Sequence, residues 1–469
     1  MDRPDRPTQS LDGQLIQDGG DHRNVWLALV LAAIIGLEGF IVLGPLGIGH
    51  MPILGGDGPR YHILAANLLD HGAFSFAYSA PYEPDIFRSL GYPGFLAATY
   101  ALFGRSTLIV RIAQLIVLWL TGWVLYLLVS RLTRRSVAMT ASILCVSYQP
   151  FVFTTIFHLP ESLATLLTVL MVYLIVLTIQ CEQRNLAFAG GAGMMAGIGA
   201  LVRPSMLLLP ALVVAFILGA KLVSPSKRWL KIGAMYVLGI IVCVLPWTTR
   251  NYVVSKQFIP LATGSGWSFY VSVQQYRREI SYRLLHSDWD LIKKDYVDRH
   301  QLAKNEVESI LAGRTESEVS ASVQQELIVD RGHRVDGLLK LAKTSTSTIV
   351  ADIPERILHL WSTGNLSLWS SGPYHRTVQV LHFAITSLVL LGLWRSRHLE
   401  LRWHILLWLV PLYLTVIHIV FHMEPRYSFP GRPFLLVYAA IGLSTLLGIK
   451  NLGKAGRGNA DDLAHTKGK

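Results

Sequence analysis

Charge and cysteine are both scarce in this chain. Only 15% of its 469 residues are Asp, Glu, Lys or Arg, against about a quarter in soluble domains. The three cysteines, Cys145, Cys181 and Cys243, fall in apolar runs or at their ends and share no metal-ligand spacing. That excludes an external disulfide framework and a cysteine-based zinc site. No internal repeat is visible, which argues against the paired-repeat architecture of many transporters. No low-complexity tract occurs either. The net charge of +12 would suit a nucleic-acid partner, but its placement excludes one. Basic residues gather in alternate loops, at Arg131, Arg134 and Arg135, at Lys221, Lys227, Arg228 and Lys231, at Arg395, Arg397 and Arg402, and in the C-terminal tail. This is the positive-inside pattern of a membrane protein.

Hydrophobic residues are abundant, at 52% of the chain, and the mean hydropathy is +0.41. Apolar runs near bilayer-crossing length recur from end to end. They predict an all-α, polytopic membrane protein with about ten transmembrane helices, at 25–48, 107–130, 136–153, 161–180, 186–203, 205–222, 230–249, 377–394, 403–422 and 430–449. The first run is too long for a signal-peptide core and reads as an uncleaved anchor. The alternation places both termini in the cytoplasm. Residues 1–24 and 450–469 then form cytoplasmic tails around a core at 25–249 and C-terminal helices at 377–449.

Two external segments are large. The first, 49–106, carries Asp57 ahead of an amphipathic stretch, with Asp57 as N-cap, Tyr61, Leu64, Ala65 and Leu68 on one face, and Gly72 at the end. Such a helix lies in the interface. The second, 250–376, has a middle with as many acidic as basic residues, the composition of a solvated surface.

Ionisable residues gather on the external side of this topology. Asp57 and Arg88 lie in the first loop, Glu161 opens the fourth span, Arg203 closes the fifth, Arg250 follows the seventh, and Glu424, Arg426 and Tyr427 precede the last. A charge near the bilayer is costly unless it is paired or hydrated, so each is a candidate functional residue. Transfer of a sugar from a polyprenyl phosphate needs a carboxylate to take the acceptor's proton and cations to hold the departing phosphate. Asp57 suits the first role, with Glu161 as a second carboxylate. Arg88, Arg203, Arg426 and Tyr427 are candidates for the lipid phosphate and donor, and Tyr61, Tyr92 and Arg250 for substrate contacts. Structural readings stand beside these: a helix cap for Asp57, a helix-terminal acid for Glu161, headgroup anchors for the arginines. His62, His71 and His158 read as interfacial polar groups.

The same residues resemble a known signature. Gly56-Asp57 with Tyr61-His62 and Ala65-Ala66-Asn67-Leu68-Leu69, then Arg88 and Gly91-Tyr92-Pro93 through Leu102-Phe103-Gly104, look like the first loop of GT-C glycosyltransferases. Pro160-Glu161-Ser162-Leu163, Leu201-Val202-Arg203-Pro204, Pro246-Trp247-Thr248-Thr249-Arg250-Asn251 and Glu424-Pro425-Arg426-Tyr427 extend the likeness along the chain. It points to the bacterial branch of the dolichyl-phosphate-mannose–protein mannosyltransferase superfamily, the lipid A aminoarabinose transferase-like group. The resemblance implies a GT-C-like fold in the bacterial inner membrane. It also implies a polyprenyl-phosphate-linked sugar donor, and a glycan, lipid or protein acceptor on the periplasmic side. It casts Asp57 as the base and Arg88 as the phosphate ligand. Many relatives carry a second acid beside the first, whereas Gly58 follows Asp57 here. No metal ligand is therefore assigned and the expected chemistry needs no cofactor, with a divalent metal as the alternative. A transporter or flippase of lipid-linked sugars, or an O-antigen polymerase or ligase, are the rival functions.

Overall fold

The computed structural model describes residues 26–27, 30–37, 57–223, 226–264, 353–362, 373–420 and 424–448. The two tails, the start of the first loop, and most of the segment 250–376 lie outside the described residues.

Every regular element among the described residues is helical. Two helices belong to the segment 49–106 expected to be external, α1 (Gly58–His71) and α2 (Gly91–Phe103). The bundle follows as α3 (Thr107–Ser130), α4 (Arg135–Val146), α5 (Gln149–Thr154), α6 (Glu161–Gln180), α7 (Asn185–Val202), α8 (Leu209–Val223) and α9 (Lys227–Ser255). After the external segment come α10 (Ile353–Trp361), α11 (Pro373–Arg395), α12 (Leu401–Val420) and α13 (Arg432–Leu446). Six stretches among the described residues are long and apolar enough to cross a bilayer, and three shorter apolar helices accompany them. Helical residues 26–27 and 30–37 fall within the first expected span.

Three sequence expectations are corrected in detail. The span at 136–153 is broken after Val146 and resumes as the short α5, which has Pro150 in its first turn. Proline disfavours helical backbone in the residue before it and lacks an N–H of its own. The seventh span runs on through Pro246 to Ser255, so Arg250 lies within α9 rather than beyond it. Asp57 occupies the N-cap position of α1 but makes no capping bond with its side chain. The expected end of α1 holds, with Gly72 left-handed at φ +63°.

The packing explains why the bundle is tight at glycine-rich seams. A Cβ on Gly193 of α7 would lie 1.9 Å from the Tyr236 carbonyl oxygen of α9, and one on Gly239 would lie 2.3 Å from that of Gly190. Small residues let two backbones approach where lipid offers no hydrophobic drive for association. At one end of the bundle Gln180 donates to the Arg131 carbonyl oxygen and Arg228 pairs with Glu182, so those loop ends share a face. Helices α1 and α2 pack on the opposite end. Tyr61, Tyr92, Leu96, Tyr100, Leu159 and Val202 form one buried cluster there, and Leu64, Phe74, Leu201, Trp247 and Leu261 another.

Candidate functional site

The first loop, the start of α6, the end of α7 and the turn before α13 meet at one point. Asp57 pairs with Arg88 through Oδ1, and its Oδ2 lies 3.9 Å from Arg426. Glu161, with a side chain 2% exposed, pairs with Arg203 at 3.1 Å through Oε1. The same oxygen lies 3.8 Å from Arg426, which also pairs with Glu424. Arg426 thus joins two carboxylate–guanidinium pairs from sequence positions far apart.

Tyrosine faces line this junction. The Arg203 guanidinium stacks 4.3 Å from the centre of the Tyr427 ring, and Arg426 lies 5.4 Å from it. Arg88 sits 5.3 Å from the centre of the Tyr61 ring and donates to its hydroxyl at 3.5 Å. Such contacts hold a guanidinium without neutralising it.

Two polar atoms at the junction are buried and have no hydrogen-bond partner among the described residues: Arg88 Nε and Glu161 Oε2. An unsatisfied donor and an unsatisfied acceptor in one site cost stability. They are the atoms a bound ligand would complete.

Burial alone would raise the Asp57 carboxyl, which is 27% exposed. Arg88, then Arg426 and Arg60, outweigh that and hold it below the usual carboxylate range. Asp57 is therefore ionised at neutral pH. Arg60, one turn into α1, contributes to this field and was not singled out from the sequence; its spacing of three from Asp57 was the available signal.

Other expected residues take different places. Tyr92 is fully buried, donates to Gln114 Oε1 at 3.0 Å, and meets the junction edge-on at the Tyr61 ring, 5.1 Å away. Arg250 stands apart from the carboxylates. It donates to the carbonyl oxygens of Asp85 and Phe74 and stacks 4.8 Å from Trp247, so it fastens the first loop to α9. His158 is fully buried and neither ring nitrogen is hydrogen-bonded among the described residues. His62 bonds to the Tyr100 hydroxyl, and His71 stacks on Tyr82. Of the residues considered for function, the junction gathers Asp57, Tyr61, Arg88, Glu161, Arg203, Glu424, Arg426 and Tyr427.

Residues 88–247 match the family model of dolichyl-phosphate-mannose-protein mannosyltransferase. The chain also has the fold of the archaeal oligosaccharyltransferase AglB from Archaeoglobus fulgidus, solved with an inhibitory peptide and a dolichol-phosphate. That likeness has a TM-score of 0.56 at 13% identity over 92% of this chain and 51% of AglB. The chain shares the fold of AglB, and residues 88–247 of its 469 match the family model. It spans about half the length of the GT-C oligosaccharyltransferase it matches. A second structure of the Archaeoglobus fulgidus enzyme, in complex with Zn and sulfate, aligns with a TM-score of 0.54 at 14% identity over 90% of this chain and 49% of that one. ArnT from Cupriavidus metallidurans bound to undecaprenyl phosphate aligns at 0.42, with 13% identity over 89% of this chain and 77% of ArnT. No curated protein matches the chain in sequence.

The carboxylates of the junction do not form a metal-binding set. Each is engaged by an arginine, Arg426 stands between Asp57 and Glu161, and no group of three or more His, Cys, Asp or Glu side chains converges among the described residues.

Proposed function

We propose that this protein is a membrane glycosyltransferase of the GT-C superfamily, which transfers a sugar from a polyprenyl-phosphate-linked donor to a cell-envelope or lipid-linked acceptor on the non-cytoplasmic side of the membrane. The observation that carries the reading is the arginine-rich junction around two carboxylates, with one donor and one acceptor atom unsatisfied. The dolichol-phosphate of the AglB structure supports the lipid-linked donor class. The positive-inside distribution of the basic loops supports the side.

In the proposed step the acceptor oxygen attacks the anomeric carbon while Asp57 takes its proton. The bond from that carbon to the phosphate oxygen breaks, and the lipid phosphate leaves with the electron pair. Configuration inverts, because one displacement suffices when the leaving group is already a stable anion. Arg88 takes the phosphate through its unpartnered Nε, with Arg203 and Arg426 adding positive field to the growing charge. Capture of the phosphate draws Arg88 away from Asp57. Loss of that pairing raises the basicity of Asp57 when the donor is in place. Glu161 is the second carboxylate, its free Oε2 available to a hydroxyl of donor or acceptor. No step runs through a metal. Tyr61, Phe87 and Tyr427 are aromatic faces beside the reacting groups.

Mass spectrometry of envelope glycans and lipid-linked intermediates in a deletion strain tests the reading. One acceptor should lose one sugar while its lipid-linked donor accumulates. Identical profiles under conditions where the protein is made would sink the proposal. So would purified protein that carries lipid-linked sugar across liposomes without forming a glycosidic bond.

A further inference from the structure

Asp85, three residues ahead of Arg88, is a carboxylate the proposed mechanism does not use. Its Oδ2 accepts the backbone N–H of Arg88 at 3.0 Å. Its own N–H donates to the Phe74 carbonyl oxygen at 2.7 Å, and its carbonyl oxygen accepts from the Arg250 guanidinium. The next two carbonyls are fastened as well. That of Ile86 accepts from the Thr263 N–H at 3.0 Å and from the Thr263 hydroxyl at 3.3 Å, and that of Phe87 accepts from the Gly264 N–H at 3.2 Å. The peptide of Arg88 is thus held from below by the chain after α9 and from within its own turn by one side chain. Asp85 supplies that last bond.

We infer that Asp85 is the positioning residue for Arg88, fixing through the Arg88 backbone the guanidinium that receives the phosphodiester of the lipid-linked donor. This rests on the phosphate role proposed for Arg88. A long arginine side chain loses rotamer freedom when it is fixed, so a rigid backbone beneath it limits what binding must still order.

The charges around Asp85 give the inference a second readout. Burial pushes its carboxyl up to about 6, against the backbone N–H groups of Arg88 and Phe87 and the charges of Arg88 and Arg250. Arg60 of α1 is the remaining cation that senses it. Asp57 titrates below the usual carboxylate range. An acid limb near pH 6 that Asp85→Asn removes would therefore belong to Asp85 and not to the proposed base. As pH falls through about 6, the charge-assisted bond to the Arg88 N–H weakens, and affinity for the donor phosphate should fall with it.

The test measures binding of polyprenyl-phosphate-mannose, a phosphodiester of constant charge across the range, to full-length protein in nanodiscs from about pH 5 to about pH 8. Wild type should lose up to about threefold in affinity below about 6. Asp85→Ala should bind about tenfold more weakly at neutral pH. Asp85→Asn keeps an acceptor oxygen without a titrating proton, so it should return affinity to within about threefold of wild type and show no acid limb. All three are compared as monodisperse protein of similar Tm, and Asp85→Asn carries the test if Asp85→Ala does not fold. Unchanged affinity in Asp85→Ala, or an acid limb that persists in Asp85→Asn, overturns the inference. Arg88→Ala separates the two levels. If it weakens binding while the Asp85 variants do not, only the positioning role fails. If it binds like wild type, the phosphate role of Arg88 fails too.

Discussion

Single side chains in this site do two jobs at once, and their substitution should reveal which one matters. Arg88→Lys keeps the charge beside Asp57 but removes the planar fork and the Nε donor. Donor KM should rise about tenfold with little change in Tm, checked by steady-state kinetics beside a thermal scan. Glu161 and Arg203 form the more deeply buried pair, with side chains 2% and 8% exposed. Glu161→Ala should lower stability by about 3–5 kcal/mol, because it strands the guanidinium of Arg203. Glu161→Ala combined with Arg203→Met should recover part of that loss in denaturant titrations, and an additive double variant would contradict the pairing. At this scale the sequence was informative where residue types were rare. Asp57, Arg88, Glu161, Arg203 and Arg426 stood out because ionisable groups are costly beside a bilayer. Asp85 and Arg60 did not, since a turn-forming Asp and a helix-surface Arg look ordinary until the backbone shows what they face.

Helix boundaries depend on forces a hydropathy pattern registers only in part. The span at 107–130 matches α3, and 161–180 matches α6, because both are predominantly apolar and end in polar residues. The break before α5 and the run of α9 through Pro246 depend on backbone satisfaction by neighbouring groups, which no run of residues displays. The capping role expected of Asp57 failed for a related reason, since its carboxylate goes to a guanidinium far along the chain. One contact between elements governs the site directly. A Cβ on Gly91, at the start of α2, would lie 2.4 Å from the Val202 backbone nitrogen, next to Arg203. Because the obstacle is backbone, it cannot rotate away. Gly91→Ala should lift α2 from the end of α7 and cut turnover by at least about tenfold, with a Tm drop of a few degrees. Wild-type activity in a well-folded Gly91→Ala protein would show that the loop tolerates displacement.

Over the whole molecule, two chemically distinct ends define the protein. One gathers the basic loops, and the other carries the junction of carboxylates and arginines. Both were legible from the alternation of basic clusters with apolar runs, because the positive-inside bias acts on whole loops and survives small errors in span ends. The meeting of residues 57, 88, 161, 203 and 426 was legible only as a shared side; their convergence comes from the tertiary packing of α1, α2, α6, α7 and the turn before α13. In a cysteine-free background, Ser79→Cys should react with an impermeant maleimide on intact cells, and Arg184→Cys should react only after permeabilisation. The reverse pattern would place the junction inside the cell. The measurement closest to the centre of the proposal is single-turnover sugar transfer by purified Asp57→Asn, using labelled lipid-linked sugars extracted from host membranes and following donor binding in the same samples. Asp57→Asn loses no capping bond, since Asp57 makes none, and its amide oxygen can still accept from Arg88, so folding is largely spared. Donor binding should stay within about threefold of wild type while transfer falls by about 10²–10⁴. Transfer at the wild-type rate would contradict the assignment of Asp57 as the base.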